Sequence, residues 1–135
     1  MEAEAVAILV DHDVEGYAIW LWGTLAALGW LDLVPLRLVM FKDIDLPQDS
    51  ADRELWRFAQ ANGMILLTNN RNMDTQDSLE QTLRDENRLD SLPVLTFGRL
   101  DRLSQREYRE QCADRLIDIV INVERYRGRG RIYIP

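Results

Sequence analysis

The chain is expected to fold as a three-layer α/β/α sandwich around a central, mainly parallel five-stranded sheet. Short apolar runs alternate with helical patterns along all 135 residues, and that alternation argues for a parallel sheet covered on both faces. The first run, Val6–Val10, is continuously apolar, as in a strand buried on both faces. No repeat, low-complexity stretch or internal linker breaks the pattern, so residues 1–135 read as one domain.

The elements follow in order. Gly16–Trp30 reads as a helix that is apolar nearly all round, with Tyr17, Ile19, Trp20, Leu21, Trp22, Leu25 and Leu28. Leu36–Phe41 is a second strand. Asp49 or Ser50 is placed to cap a helix through Asn62, with Leu55, Phe58 and Ala59 at core spacing. Met64–Thr68 is the third strand, Asp74–Asn87 a helix with Leu79 and Leu83 one turn apart, and Pro93–Phe97 the fourth strand. Ser104 and Glu107 have the spacing of a capping box. They open a helix with a stripe of Tyr108, Cys112, Leu116, Ile119, Val120 and Val123. Arg127-Gly-Arg-Gly130 ends that helix, and Arg131–Ile134 is a short last strand.

Composition narrows the chemistry. Cys112 is the sole cysteine, which excludes an intrachain disulfide and a multi-cysteine metal site. It sits in an apolar stripe and reads as a small core residue. His12 is the sole histidine, so a metal here has to be held by oxygen. The net charge is -7, unevenly spread: residues 1–97 carry -10 and residues 98–135 carry +3, all of the latter's cations being arginine. These arginines read mainly as surface ion pairs, although a polyanion would still meet a locally basic C-terminal face. The N-terminus is acidic where a signal peptide is basic. The most apolar stretch, Ala18–Leu31, falls short of the ~20 residues that a membrane span needs. A cytoplasmic protein with no membrane partner is the expectation.

Right-handed crossovers place the C-terminal ends of parallel strands on one edge, where ligands bind. Asp11 and Asp13 follow the first strand, and in extended chain both would point the same way. His12 would point away. Asp49, Asp52 and Glu54 open the second long helix, where the helix dipole favours acids without any function. After the third strand comes Thr68-Asn69-Asn70-Arg71-Asn72, a polar turn. Thr96 and Gly98 end the fourth strand and face the same edge.

Three pieces in this order resemble the PIN-like superfamily, in particular small bacterial PIN-like proteins related to VapC-type ribonucleases. They are a strand ending in aspartate (Ile8 to Asp13), an acid opening a helix (Asp52 to Ala59), and a Gly-led strand followed by a polar turn (Gly63 to Met73). The resemblance implies a hydrolase: a nuclease in which carboxylates hold Mg²⁺ or Mn²⁺ and RNA is cut. Asp11 would be the central metal ligand, Asp52 the second and Asp13 a third. Asn70 and Asn72 stand where active relatives usually carry aspartates, so they would be weaker ligands or phosphate positioners. Arg71, Asn69 and Thr68 would complete the binding site. An antitoxin or other protein partner is also implied.

Loss of two acids weakens cation binding. The alternative is therefore a catalytically inactive PIN-like domain that binds RNA, a nucleotide or a protein. A receiver-like signalling domain would also use an acidic pair and Thr96, but it needs an aspartate after strand three and a lysine after strand five. The only lysine is Lys42. No G-x-G-x-x-G follows the first strand, which argues against dinucleotide binding. Trp20 and Trp22 lie about 200° apart on a helix. The Trp-rich first helix therefore predicts a homodimer that covers the aromatic side chains the sheet cannot.

Overall fold

The computed structural model describes residues 5–69 and 78–135. Five strands, β1 (Val6–Val10), β2 (Leu36–Val39), β3 (Met64–Asn69), β4 (Val94–Phe97) and β5 (Arg131–Ile134), form one sheet of order β2-β1-β3-β4-β5. Every pair is parallel. Helices α1 (Glu15–Ala27), α2 (Trp30–Leu33), α3 (Asp52–Ala61), α4 (Leu79–Glu86), α5 (Arg106–Ile121) and α6 (Val123–Tyr126) lie between the strands. The expected three-layer architecture is the one observed.

Side-chain alternation assigns the layers. Ile8 and Val10 of β1, Ile65 and Leu67 of β3, and Leu95 and Phe97 of β4 meet α1 and α5 in one core. Ala7 and Leu9, Met64 and Leu66, and Val94 point the other way, into a second core with Leu55, Trp56 and Ala59 of α3 and Leu79 of α4. A strand flanked by partners on both sides and apolar on both faces can only sit between two helical layers. That is the position of β1.

The connections hold a departure from expectation. From β1 the chain moves to one side with α1 on one face. From β4 to β5 it moves to the other side, with α5 on that same face beside α1. These two crossovers are therefore of opposite hand. The β2–α3–β3 and β3–α4–β4 units share the hand of the first, so the β4–α5–β5 unit is the left-handed one, against the strong general preference. The reason lies in β5 itself. Ile132 and Ile134 are buried on the α5 face, whereas Arg131 and Tyr133 alternate onto the other. The strand has apolar surface for one helix only, on the face where α5 lies.

Several local expectations are corrected. The first helix is not continuous to Trp30: Gly29 adopts a left-handed backbone (φ 83°), which ends α1, and α2 restarts at Trp30. Ser104 does not cap α5. Its hydroxyl donates to Asp101 O within a preceding turn, and α5 begins at Arg106. Ser50 likewise donates to Pro47 O at 2.6 Å, and α3 begins at Asp52 with Ala51 ahead of it. The second strand stops at Val39, and Phe41 opens a 3-10 turn. The helix expected from Asp74 has its described part at Leu79–Glu86; residues 74–77 lie outside the described residues.

Cys112 is buried, donates to Ile134 O at 3.0 Å, and burial pushes its thiol up to about 12. It is the core residue that its position in the stripe suggested. The C-terminal arginines mostly find carboxylates: Arg99 pairs with Asp101, Arg106 with Glu110, Arg115 with Asp118 and Arg127 with Glu124.

The left-handed connection is pinned at Gly128. Its amide donates to Ser91 O at 2.8 Å and its carbonyl accepts from Asn87 Nδ2 at 2.9 Å. Its φ is +82°, and a Cβ there would overlap the Leu89 backbone. Gly128→Ala is expected to destabilise the fold by at least ~1–3 kcal/mol. Chemical denaturation checks this, with Gly16→Ala, which meets nothing within 4 Å, as the neutral control.

Candidate functional site

The strand order reverses between β1 and β3, because the chain leaves β1 toward β2 and returns on the other side. Connections diverge there to opposite faces, and a crevice opens at the C-terminal ends of the two strands. Asp11 is the first residue beyond β1, and its amide still donates to Leu67 O of β3 at 2.9 Å. Its side chain follows Ala7 and Leu9 onto the α3/α4 face and is only 6% exposed. A buried carboxylate needs hydrogen-bond partners. Thr68, the facing residue on β3, donates its hydroxyl to Asp11 Oδ2 at 2.8 Å.

The register extends this pair into a row. Thr68 lies opposite Thr96 on β4, and Thr96 opposite Tyr133 on β5. Four polar side chains, from Asp11 to Tyr133, thus cross one face of the sheet at its ligand edge. Both helix starts of that layer lie at the same edge. The Asp52 carboxylate, in the first turn of α3, accepts from the Leu79 amide of α4 at 3.1 Å. The Ser78 hydroxyl accepts from the Gln81 amide at 3.2 Å. Further along, the Arg57 and Arg53 guanidiniums grip Glu86 and hold its carboxyl below the ordinary range. They clamp α3 to α4.

The expected residues fall out differently. Asp11 and Thr68 are brought together. Asp52 stands at the start of α3, where its described contact is structural, to the Leu79 amide. Asp13 is exposed in a 3-10 turn, His12–Val14, so the extended geometry that would aim residues 11 and 13 alike ends at Asp11. Thr68 and Asn69 belong to β3 and not to a turn. Asn70, Arg71 and Asn72 lie outside the described residues. His12 bonds Glu15 at 2.6 Å, and Glu15 in turn accepts from the Phe41 amide at 3.3 Å, a local brace. Gly98 is explained by packing, since a Cβ there would overlap Pro135 O.

The donors fit a hard divalent cation in kind: carboxylate and hydroxyl oxygens with no sulfur or imidazole. Their number is the constraint. Among the described residues no group of three or more His, Cys, Asp or Glu is poised to hold a metal.

Arg131 and Tyr133, on the same face of the sheet as Thr96, are what sequence reasoning missed. Their only trace was an arginine and a tyrosine alternating with isoleucines in the last strand; the register that places them beside Thr96 is a property of the sheet. A cleft of about 800 Å³ lies at the opposite edge, lined by Trp56, Gln60, Gly63, Glu86, Asn87 and Ser91 among others. Its polar groups serve the fold: Gln60 bonds both the amide and the carbonyl of Leu92, and Ser91 accepts from the Arg88 amide.

Comparisons with protein families, with curated proteins and with solved structures return no match for this chain.

Thr68→Val removes a hydrogen bond to the buried Asp11 carboxylate while keeping the shape. It is expected to cost ~1–3 kcal/mol at neutral pH, and Thr68→Ser is expected to recover most of it. Denaturant midpoints of the three proteins check this.

Proposed function

We propose that the protein is a PIN-like, Mg²⁺- or Mn²⁺-dependent ribonuclease whose centre is Asp11. The observation that carries the reading is the buried Asp11 carboxylate at the strand-order reversal, held by Thr68 at 2.8 Å. A carboxylate enclosed at the C-terminal end of a strand that is apolar on both faces is the feature from which we infer a functional position. Asp11 would hold the cation, with Asp52 and Asp13 as the nearest acids in sequence order of the resemblance. A hard cation there lowers the pKa of water and neutralises charge developing on a phosphoryl group. Thr68 fixes the rotamer of Asp11. Asn70, Asn72, Asn69 and Arg71 are assigned to the phosphate side of the site on the resemblance alone.

A second reading has its own support. The shortfall in carboxylates among the described residues favours a PIN-like domain that retains the crevice and binds RNA, a nucleotide or a protein such as an antitoxin without cutting. Two measurements separate the readings. Calorimetric titration with Mn²⁺ is expected to give heat for wild type and none for Asp11→Ala; equal or absent heats in both would remove the metal site. Cleavage of single-stranded RNA that chelator abolishes identifies the nuclease, and binding without cleavage identifies the second reading. Asn70→Asp combined with Asn72→Asp is expected to tighten Mn²⁺ binding about tenfold or more by restoring two charges.

The reading also includes a homodimer. Tyr17, Trp22 and Trp30 pack against the sheet core, which accounts for part of the aromatic load. Ile19 and Trp20 remain 60% and 50% exposed on the outer side of α1, with the Arg109 guanidinium 5.5 Å over the Trp20 ring. No charged residue occurs from Gly16 to Leu31, so this face lets two copies of a chain of net charge -7 approach. Light scattering after size exclusion is expected to give a dimer for wild type and a monomer for Ile19→Glu. A wild-type monomer at high micromolar concentration would contradict it. No helix among the described residues is long and apolar enough to cross a membrane, and we place the protein in the cytoplasm.

A further inference from the structure

Arg131 opens β5 opposite Val94, at the end of the sheet away from the crevice. Its side chain nevertheless reaches Glu80 through Nη2, and Glu80 lies in the first turn of α4. Because α4 starts at the ligand edge, the arginine must run up the α3/α4 face of the sheet toward the Asp11 crevice. Only 9% of the side chain is exposed. Nε and Nη1 are both buried and have no hydrogen-bond partner among the described residues.

That arrangement is expensive. A buried guanidinium with one carboxylate and two idle nitrogens leaves strong donors unsatisfied, which native structures rarely tolerate without a reason. Beside it, the Thr96 hydroxyl is fully buried and also has no partner among the described residues. Thr96 and Arg131 project from the same face of adjacent strands, a diagonal pair in the ladder. Unused donors from two strands therefore converge under the start of α4. Tyr133, 45% exposed and directly opposite Thr96, is the solvent-facing residue beside them.

We propose that Arg131 and Thr96 form an oxyanion pocket that takes a phosphate group. The chemistry of the donors selects the ligand class. The guanidinium offers N–H donors only and the hydroxyl can turn its O–H to the same point, and a tetrahedral phosphoryl oxyanion accepts from several directions at once. Glu80 neutralises the arginine when the pocket is empty and competes with the anion for it. The pocket is two inter-strand spacings, ~10 Å, from Asp11. A phosphate there would be held beside, and not at, the cation centre. The inference rests on the proposed crevice but on different residues, so the two stand or fall separately.

The test is calorimetric titration with inorganic phosphate and, in parallel, with a single-stranded RNA dinucleotide that has one internal phosphodiester. Wild type is expected to bind both. Arg131→Gln is expected to weaken binding at least tenfold, the scale of losing a charge-assisted contact. Thr96→Val is expected to weaken it several-fold. Glu80→Gln is expected to tighten it by freeing Nη2. Asp11→Ala is expected to leave phosphate binding unchanged while abolishing Mn²⁺ heat. Tighter binding of the dinucleotide assigns the pocket to a strand backbone, and tighter binding of inorganic phosphate assigns it to a free or terminal phosphate. Should Arg131→Gln fail to fold, the opposed effects of Thr96→Val and Glu80→Gln carry the test. Absence of binding in wild type, or binding indifferent to all three substitutions, would overturn the proposal. Loss of Mn²⁺ binding alone would overturn the cation centre and leave the pocket standing.

Discussion

Strand β1 is apolar on both faces and paired along both edges, and the molecule is arranged around that requirement. Ile8 and Val10 need one helical layer, and Ala7 and Leu9 need another. The chain meets both needs by leaving β1 in one direction and returning past it in the other. That reversal opens the crevice, and the residue that emerges into it is an aspartate. Burial of Asp11 is thus a consequence of how β1 is covered, and the Thr68 hydroxyl makes the burial tolerable.

The opposite edge of the sheet obeys a weaker constraint, with a topological consequence. The last strand is half polar, so only one of its faces calls for a helix. The face it offers to α5 lies on the α1 side, and the connection takes the rare left hand. The same alternation sends Arg131 and Tyr133 to the α3/α4 face, where Tyr133 extends the polar row begun by Asp11. The charge pattern of the C-terminal part follows. Several arginines are neutralised by nearby carboxylates, whereas Arg131 carries one partner and two unused nitrogens into the interior.

Much of this was legible in the sequence because it is written in periodicity. The five apolar runs and their intervening helices needed no tertiary information, and neither did the placement of Asp11 at a ligand edge. The failures have physical causes. Gly29 could be read as an interior glycine of a long apolar helix; only its left-handed backbone shows that it stops one. Ser104 and Glu107 had capping-box spacing, but a preceding turn captured the serine hydroxyl. Asp11 and Asp13 were aligned by assuming that strand geometry continued, and a 3-10 turn ended it. The row from Asp11 to Tyr133 depends on inter-strand register, and the hand of the last crossover depends on which layer α5 joins. Neither is encoded in any local stretch.

The central claim is that the crevice at the strand-order reversal is a divalent-cation site organised by Asp11. Anomalous diffraction from crystals soaked in Mn²⁺ addresses it most directly. The account predicts a single strong manganese peak within coordination distance of the Asp11 carboxylate. A peak confined to other surfaces, or none at saturating millimolar Mn²⁺, would contradict it.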